Sequence, residues 1–474
     1  MSGSGLTFAA VLVVYIAALL AIGIAGYRRT KTSDDFLIAG RSIGPWVGGA
    51  VLAATQISAG TFVGTAGRHY MAGVSFAWVW PGVWFGWLIS ALFVAPKLRE
   101  FGARTIPDFL AVRYSSKTAR GLSAVFIILA YMVQLIAQYQ ACGEIFQAIF
   151  GLDPMWAMLL LAASTLFYTM LGGVRSSSYI DFLQVLIMIG GLLIAVPLLL
   201  YRTGGLATAG QTLTSLDPRL TGWFYNWKIM LGLALSFGLT MAAAPYEMVR
   251  FYSMKSKAVV RNAIGVCFLF QAVIGACIMM IGILTRALYP HLASADQASS
   301  VMALNVLSPL AGSLFIVAMI SAIMGSSNAI LLVVSAGISH DIYGTLLKPD
   351  ASDRTRLLLN RVSIFVLGLV PIWFALKKFA DVQELVLVQT RLIGSFFFVP
   401  MIFGLNSKYG TGAGALAGMV GGSIGCVSWA WWGIQYAPNI DAIEVGIAAN
   451  ALCYFTVSAL TRPQRPQRPV EALA

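Results

Sequence analysis

The residues of this chain that could do chemistry are isolated polar and charged side chains inside long apolar stretches. Asp181 and Arg391 are ionisable residues of this kind. Because a charge at membrane depth is costly, such a residue usually binds an ion, contacts a solute or pairs with another group. The chain has no HExxH motif, no nucleophile clustered with a base, and no cysteine spacing typical of a zinc site or a disulfide framework. We therefore expect a transporter and not an enzyme.

The elements that position these residues must lie in a membrane. Hydrophobic residues make up 59% of the 474-residue chain and charged residues only 10%, whereas soluble domains carry about 25% charged residues. The net charge of +13 comes from short basic clusters between apolar runs, which is typical of cytoplasmic loops beside anionic lipid headgroups. We therefore predict contact with membrane lipid and no nucleic-acid partner.

The fold class predicted from hydropathy is an all-α membrane protein of about thirteen transmembrane helices. A span needs roughly 20 apolar residues, and thirteen segments reach or approach this length. These predicted spans cover residues 6–27, 46–70, 73–96, 121–149, 155–171, 179–201, 229–249, 262–286, 311–339, 362–376, 383–406, 412–433 and 442–461. The Pro-rich tail that follows, 462–474, is predicted to be disordered.

The distribution of basic residues predicts the orientation, because Lys and Arg concentrate on the cytoplasmic side of membrane proteins. With the N-terminus outside, 23 of the 31 Lys and Arg residues fall on the cytoplasmic side and 6 on the outer side. We therefore predict a multi-pass protein of the cytoplasmic (inner) membrane, with its N-terminus outside and its C-terminus in the cytoplasm.

Two predicted spans are poor continuous helices. The second, around 48–70, is rich in Gly, Ala, Ser and Thr, and the seventh, around 230–251, contains Gly238, Thr240 and Pro245. Interrupted helices at corresponding positions of two halves are typical of a transporter site, whereas the alternative is tight packing through small residues. The five-span offset predicts two inverted repeats. The predicted divisions are 1–45 (first span and loop), 46–202 (first repeat, spans 2–6), 203–409 (second repeat, spans 7–11), 410–461 (two final spans) and the tail 462–474.

An ordered set of short motifs runs along the chain. In sequence order they are Gly40-Arg41-Ser42-Ile43-Gly44-Pro45, Ile106-Pro107-Asp108-Phe109 followed by Arg113-Tyr114, Gly172-Gly173 leading to Asp181 and Gln184, Asp341-Ile342-Tyr343, and Gly414-Ala415-Leu416-Ala417-Gly418. In this order and spacing they resemble the sodium:solute symporter family over nearly the whole chain. The resemblance implies a core of two five-helix inverted repeats, with one helix before it and two after. It also implies that the protein moves a small organic solute together with Na⁺ by alternating access.

The resemblance further implies a sodium site between the break in the second span and the ninth span. By motif position, its ligands are the backbone carbonyls of Ala54, Ile57 and Ala322 and the hydroxyl of Ser326. Position 325 is Gly where the family usually has Ser, so one ligand is missing. The alternatives are a weaker site, a water molecule or Ser327 in place of that ligand, or H⁺ as the coupling ion.

Four more candidate residues follow from family position. Asp181 matches an acidic residue near the inner ion-release path, which makes it a candidate ion ligand; the alternative is an ion pair with a loop arginine such as Arg175. Gln56 stands where the proline symporter carries Asp and a sugar symporter Asn, so it supplies no charge, and we expect it to face the solute. Thr61 and Phe62 follow the break and are predicted to line the cavity.

Arg391 lies well inside the predicted eleventh span, which by resemblance lines the substrate cavity. Its planar guanidinium suits a carboxylate, so we expect an anionic organic solute. The alternative is a structural role, in which Arg391 pairs with Glu144, Glu247 or helix carbonyls.

Two further groups of polar side chains are candidates. Gln134 and Gln138 follow Tyr131 on one face of the fourth span, where they either line the cavity or bond a neighbouring helix. Arg68 and His69 lie near the outer end of the second span. They are either an outer gate, with His69 titrating near neutral pH, or interfacial residues at a helix end. A remote alternative to transport is a solute-sensing membrane receptor.

Overall fold

The computed structural model describes residues 3–27 and 33–461, and over these residues the chain is helical and contains no β-strand. The first helices are α1 (Gly3–Tyr27), α2 (Ser33–Ile38), α3 (Pro45–Gln56), α4 (Ala66–Ala72), α5 (Val79–Ile89), α6 (Ala95–Phe101), α7 (Ile106–Arg113) and α8 (Lys117–Phe150). The later helices are α9 (Pro154–Arg202), α10 (Leu206–Leu216), α11 (Trp227–Met241), α12 (Pro245–Ser253), α13 (Lys257–Leu288), α14 (Ala298–Asn305), α15 (Pro309–Ala336), α16 (Asp353–Ala375), α17 (Val382–Asn406), α18 (Gly412–Trp431) and α19 (Ala442–Leu460). The predicted all-α fold class is confirmed; the predicted tail, 462–474, lies outside the described residues.

Eleven helical segments of the described chain are long and apolar enough to cross a membrane. Two predicted spans account for the difference from thirteen. The fifth corresponds to a shorter apolar helix, Pro154–Met170. The second is divided: its first half is α3, and its second half runs into the third predicted span within the segment Gly60–Phe101. The count of thirteen and the division into inverted repeats therefore remain predictions.

The helix α9 combines the fifth and sixth predicted spans. They meet at Gly173, whose φ of 55° and ψ of −153° are not helical. A positive φ favours glycine, and a Cβ at this position would also lie 2.6 Å from the Phe36 carbonyl oxygen. The chain therefore bends at Gly173, which separates Pro154–Met170 from Gly173–Arg202.

The helix at the centre of the fold is α15, which is buried without interruption from Phe315 to Ala336. It packs against α1, α8, α9 and α16. Its midpoint carries three consecutive polar residues, Ser326, Ser327 and Asn328, which are all buried. Because buried polar groups need hydrogen-bond partners or bound ligands, this polar segment marks where a site can form.

The helices α5 and α11 make a close backbone contact. Gly82 and Gly86 of α5 face Gly238 of α11: a Cβ on Gly86 would collide with the Gly238 carbonyl oxygen, and a Cβ on Gly238 would lie 2.5 Å from the Gly82 carbonyl oxygen. Small residues allow such approaches between membrane helices. Because α11 leads into the break before α12, this contact helps to position that break.

We predict that Gly86→Ala lowers the stability of the protein, because its Cβ forces α5 and α11 apart. Overpacking of this kind costs about 1–3 kcal/mol. Gly190→Ala is the matched control, since nothing lies within 4 Å of a Cβ at that helical position. Thermal unfolding of the detergent-purified variants measures the effect, and equal unfolding temperatures for Gly86→Ala and the parent would contradict the close contact.

Candidate functional site

The second predicted span is broken between α3 and the wide helical turn Gly60–Thr65. Ile57 is extended, with φ −68° and ψ 119°, and the next three N–H groups donate to side-chain oxygens. These bonds are Ser58 N to Thr61 Oγ1 (3.3 Å), Ala59 N to Gln138 Oε1 (2.9 Å) and Gly60 N to Ser58 Oγ (3.1 Å). The carbonyls of residues 54–56 therefore lose the donors that a continuous α-helix would provide.

The seventh predicted span is broken at residues 242–244, between α11 and α12. Pro245 has no N–H, Tyr246 N donates to Tyr131 Oη (3.3 Å), and Glu247 N donates to Ala244 O (3.2 Å). The carbonyls of residues 241–243 therefore also lack their helical donors. Both predicted discontinuous helices are present.

The carbonyl of Ala54 and the midpoint of α15 face each other. A Cβ built on Gly325 would lie 3.3 Å from Ala54 O. In the next residue, Ser326 Oγ lies 3.0 Å from Ala322 O. Carbonyl and hydroxyl oxygens are the ligands that hard cations prefer, so the residues expected to hold Na⁺ fit that ion by their chemistry.

The side chain of Gln138 joins the first break to α15. Its Oε1 accepts hydrogen bonds from Ala59 N (2.9 Å) and from Ser326 Oγ (3.0 Å). Ser327 instead donates to Ile323 O of its own helix (2.7 Å). The structure therefore favours the second alternative for Gln138, which is bonding to neighbouring elements.

Asp181 forms a buried network between α9, α12 and α15. Its carboxylate lies 3.3 Å from Arg250 Nη2, accepts from Asn328 Nδ2 at 3.3 Å and accepts from Ser177 Oγ at 3.3 Å. Asp181 and Arg250 are 0% and 2% exposed, so water does not screen the pair. The arginine that pairs with Asp181 is therefore Arg250, and not the loop residue Arg175.

A small polar cavity lies between the two breaks. Its volume is about 40 Å³, which is enough for a few water molecules. None of its lining residues is charged. They are Gln56, Ser58, Gly60, Thr61, Thr65, Gln134, Phe237, Met241, Tyr246, Gln383, Val386, Gln389 and Thr390. Of the predicted solute-binding residues, Gln56, Thr61 and Gln134 are among them.

Phe62, Gln138 and Arg391 are outside this lining. Phe62 packs against Phe315, with ring centroids 6.0 Å apart, and is fully buried. Gln56 lines the cavity and also accepts a hydrogen bond from Gln271 of α13, a partner that the sequence patterns did not indicate.

Arg391 is held by two carboxylates. Its guanidinium makes a bidentate pair with Asp441, with Nη2 to Oδ2 at 2.7 Å and Nε to Oδ1 at 2.9 Å, and its Nη1 lies 3.1 Å from Glu384. Asp441 also caps the start of α19. The charge of Arg391 is thus compensated by partners other than the expected Glu144 and Glu247, and the reason for expecting an anionic solute is removed.

Arg68 and His69 have different surroundings. Arg68 Nη2 lies 3.6 Å from Asp381 at the start of α17, in a partly exposed ion pair. His69 is fully buried, with Nδ1 3.1 Å from Gly73 O and its ring edge-on to Phe76. His69 is therefore not an interfacial residue, whereas Arg68 links α4 to α17.

A second, larger cavity of about 330 Å³ lies near the Arg68–Asp381 ion pair. Glu144, Asp296 and Lys378 line it, and Lys378 Nζ lies 3.4 Å from Glu144. Burial, followed by the neighbouring carboxylates of Glu144 and Asp381, raises the pKa of Asp296 to about 6. This cavity is therefore lined by a carboxylate that gains a proton just below neutral pH.

Glu247 and Gln184 are two polar residues whose position the sequence patterns did not reveal. Glu247 is fully buried, and neither carboxyl oxygen has a partner among the described residues. A carboxyl in such a place is either protonated or compensated by a bound cation. Gln184 is also fully buried, and its Oε1 lacks a donor. In the sequence, Gln184 stands out only as the end of one family motif, and Glu247 only as an alternative partner of Arg391.

We predict that Arg391→Gln destabilises the fold, because Asp441 and Glu384 lose their counter-charge. The expected loss is about 1–3 kcal/mol, which is less than for a fully buried pair since Glu384 is 41% exposed. The double variant Arg391→Gln/Asp441→Asn should recover part of this loss. Lys117→Gln, at an exposed position, is the control and should change stability by less than about 0.5 kcal/mol. An unfolding midpoint unchanged by Arg391→Gln would return Arg391 to the candidate solute ligands.

We predict that Asp296→Asn removes a pH-dependent loss of stability. Since the folded chain holds the Asp296 proton up to about pH 6, the parent is favoured at pH 4 and loses that contribution as the pH rises through about 6. The variant should therefore become the more stable form above pH 6, by about 1 kcal/mol after allowance for partial exposure. Unfolding temperatures from pH 4 to 8 measure this.

Asp217→Asn is the control for that series. Hydrogen bonds from Arg219 hold the pKa of Asp217 below its usual value, so this variant should show no such change between pH 4 and 6. A parallel pH profile for Asp296→Asn and the parent would mean that Asp296 does not titrate in this range.

Known proteins match this chain over almost its whole length. The sodium:solute symporter family model matches residues 36–422. The high-affinity proline transporter PutP of Bacillus subtilis is 28% identical, covering 95% of this chain and 97% of its own, and the osmoregulated proline transporter OpuE of the same organism is 26% identical, covering 97% and 95%.

Solved structures share the fold. The substrate-bound, outward-open structure of a Na⁺-coupled sialic acid symporter superimposes with a TM-score of 0.85 at 19% identity, covering 97% of this chain and 99% of the other. Mhp1, a nucleobase-cation-symport-1 family transporter, gives a TM-score of 0.56 at 15% identity, covering 92% and 97%. The family match across most of the sequence, on a fold with two broken helices, shows that this chain belongs to the sodium:solute symporter family and is a multi-pass membrane transporter that couples solute movement to Na⁺, not an enzyme.

Proposed function

We propose that this protein takes up a small carboxylate-bearing solute of no net charge, such as an amino acid of proline's size, together with Na⁺. The observation that carries the proposal is the cavity between the two breaks, whose lining contains polar and apolar side chains but no charged one. A solute with a net charge would need a counter-charge in that lining, because an unpaired charge in a dry site is costly. The relatives PutP and OpuE are proline transporters, which agrees with this chemistry.

The surroundings of the cavity argue against a net anionic solute. Arg391 is already paired with Asp441 and Glu384. The carboxylate is therefore proposed as part of a zwitterion, and not as the net charge of the solute.

We assign the Na⁺ ion to the space between the first break and α15. The proposed ligands are the carbonyls of Ala54, Ile57 and Ala322 and the hydroxyl of Ser326. Na⁺ takes about five oxygen ligands, and carbonyls released by unwinding suit it. Ser327 donates within its own helix, so it is a secondary candidate. Asp181 remains a candidate for the inner release path, next to Arg250.

We place the N-terminus outside and the C-terminus in the cytoplasm of the inner membrane, from the distribution of basic residues. In this orientation, the cavity lined by Glu144 and Asp296 opens outward, and the Arg68–Asp381 pair is a candidate outer gate. Alternating access would then move the repeat 46–202 against the repeat 203–409.

Proteoliposomes that contain the purified protein test the proposal. Uptake of labelled proline should require an inward Na⁺ gradient and should fall at least tenfold when choline replaces external Na⁺ at fixed pH. Unlabelled neutral amino acids should compete, and acetate and lactate should not. Competition by the anions alone would contradict a net-neutral solute, and uptake unchanged in choline would contradict coupling to Na⁺.

A further inference from the structure

Gly325 of α15 faces the end of α3 and the side chain of Gln184. The family resemblance predicts a serine hydroxyl at residue 325 as a Na⁺ ligand, and this chain has none. A Cβ built on Gly325 would lie 2.9 Å from Gln184 Oε1 and 3.3 Å from Ala54 O. Two oxygens from α9 and α3 thus converge on the space that a serine side chain would occupy.

The side chain of Gln184 is fixed with its oxygen toward that space. Gln184 is 0% exposed, and its Nε2 donates to Tyr15 Oη at 3.0 Å. Tyr15 Oη in turn lies 3.8 Å from Met324 Sδ. Gln184 Oε1 has no hydrogen-bond partner among the described residues. A buried amide oxygen without a donor is unfavourable, unless a cation fills the place of the donor.

The carbonyl of Ala54 is in the same condition. Its helical donor would be Ser58 N, and that group donates to Thr61 Oγ1 instead. Both oxygens therefore carry partial negative charge toward one buried space beside Gly325 without a hydrogen-bond donor, which is the arrangement that attracts a hard cation.

We propose that Gln184 Oε1 is a direct Na⁺ ligand that replaces the hydroxyl missing at position 325. The ion is held from α9 through this amide, and from the first break through Ala54 O. This inference rests on the proposed location of the Na⁺ site between α3 and α15. It assigns to Gln184 a function in ion binding that the chain needs because residue 325 is Gly.

The experiment measures the unfolding temperature of the full-length, detergent-purified protein against NaCl, with choline chloride holding the ionic strength constant. Binding to the folded state raises this temperature by mass action. The NaCl concentration that gives half of the full shift in unfolding temperature should be at least tenfold higher for Gln184→Leu than for the parent. Gln184→Glu keeps an oxygen at the site and adds charge, so it should need no more NaCl than the parent.

Two variants complete the set. Gly325→Ser/Gln184→Leu should restore at least a third of the lost Na⁺ sensitivity, because the serine places a hydroxyl in the same space. Gln140→Leu is the matched control: this buried glutamine bonds the Ala380 carbonyl at 3.1 Å, away from the first break, and its loss should leave the half-saturating NaCl unchanged.

Each alternative outcome overturns a defined statement. If Gln184→Leu responds to NaCl as the parent does, Gln184 is not a ligand. If Gln184→Glu loses stability in choline and gains nothing from NaCl, the amide donates a hydrogen bond to the break and does not bind the ion. If the parent itself shows no shift in NaCl, the location of the Na⁺ site fails, and the role of Gln184 fails with it. Na⁺-dependent uptake measured on the same preparation separates this last result from a failure of transport.

Discussion

Unpaired backbone groups at membrane depth are the constraint on which this structure depends. A helix broken in the interior releases N–H and C=O groups that lipid cannot satisfy, so these groups need partners in the protein, a water-filled cavity or a bound ion. At the first break the donors are all captured: Ser58, Ala59 and Gly60 donate to side-chain oxygens of Thr61, Gln138 and Ser58. The carbonyls of residues 54–56 receive no equivalent helical donor. The break therefore carries an excess of acceptors, and a cation is the simplest way to balance it. At the proposed site, Na⁺ would take the place of the hydrogen-bond donors that these carbonyls lack.

The polar residues of the interior follow from this constraint. Gln138 connects α8 to the first break and to Ser326 of α15. Asp181 and Arg250 connect α9 to α12, directly after the second break, and Asn328 adds α15. A buried ion pair contributes little net stability, but it makes departures from one geometry costly. These contacts fix both breaks relative to α15, which is the helix that supplies the remaining proposed Na⁺ ligands.

Hydropathy and small-residue patterns were sufficient for the large features. The all-α membrane fold and both broken helices followed from apolar runs and from Gly, Thr and Pro inside them, because those signals are local in the sequence. Partners separated by long stretches of chain could not be predicted. Arg391 looks like a solute ligand in the sequence, because its partner Asp441 lies 50 residues further along the chain. In the same way, the sequence itself shows that residue 325 is a glycine without a side-chain hydroxyl. It does not show that the amide of Gln184, from a different helix, faces this glycine.

The shared backbone at the first break also explains why ion and solute binding would be coupled. Ala54 and Ile57 are proposed to bind Na⁺, while Gln56 and Ser58, which alternate with them at the end of α3 and in the break, line the cavity. An ion that fixes this segment therefore fixes two walls of the cavity, and the solute then loses less conformational entropy on binding. A zwitterion would gain further from a cation close to its carboxylate, because charges interact strongly in a dry site. Linkage makes this effect reciprocal: whatever factor Na⁺ adds to the affinity for the solute, the solute adds to the affinity for Na⁺. An ion bound at the first break would therefore strengthen solute binding in the neighbouring cavity, although no charged side chain lines that cavity.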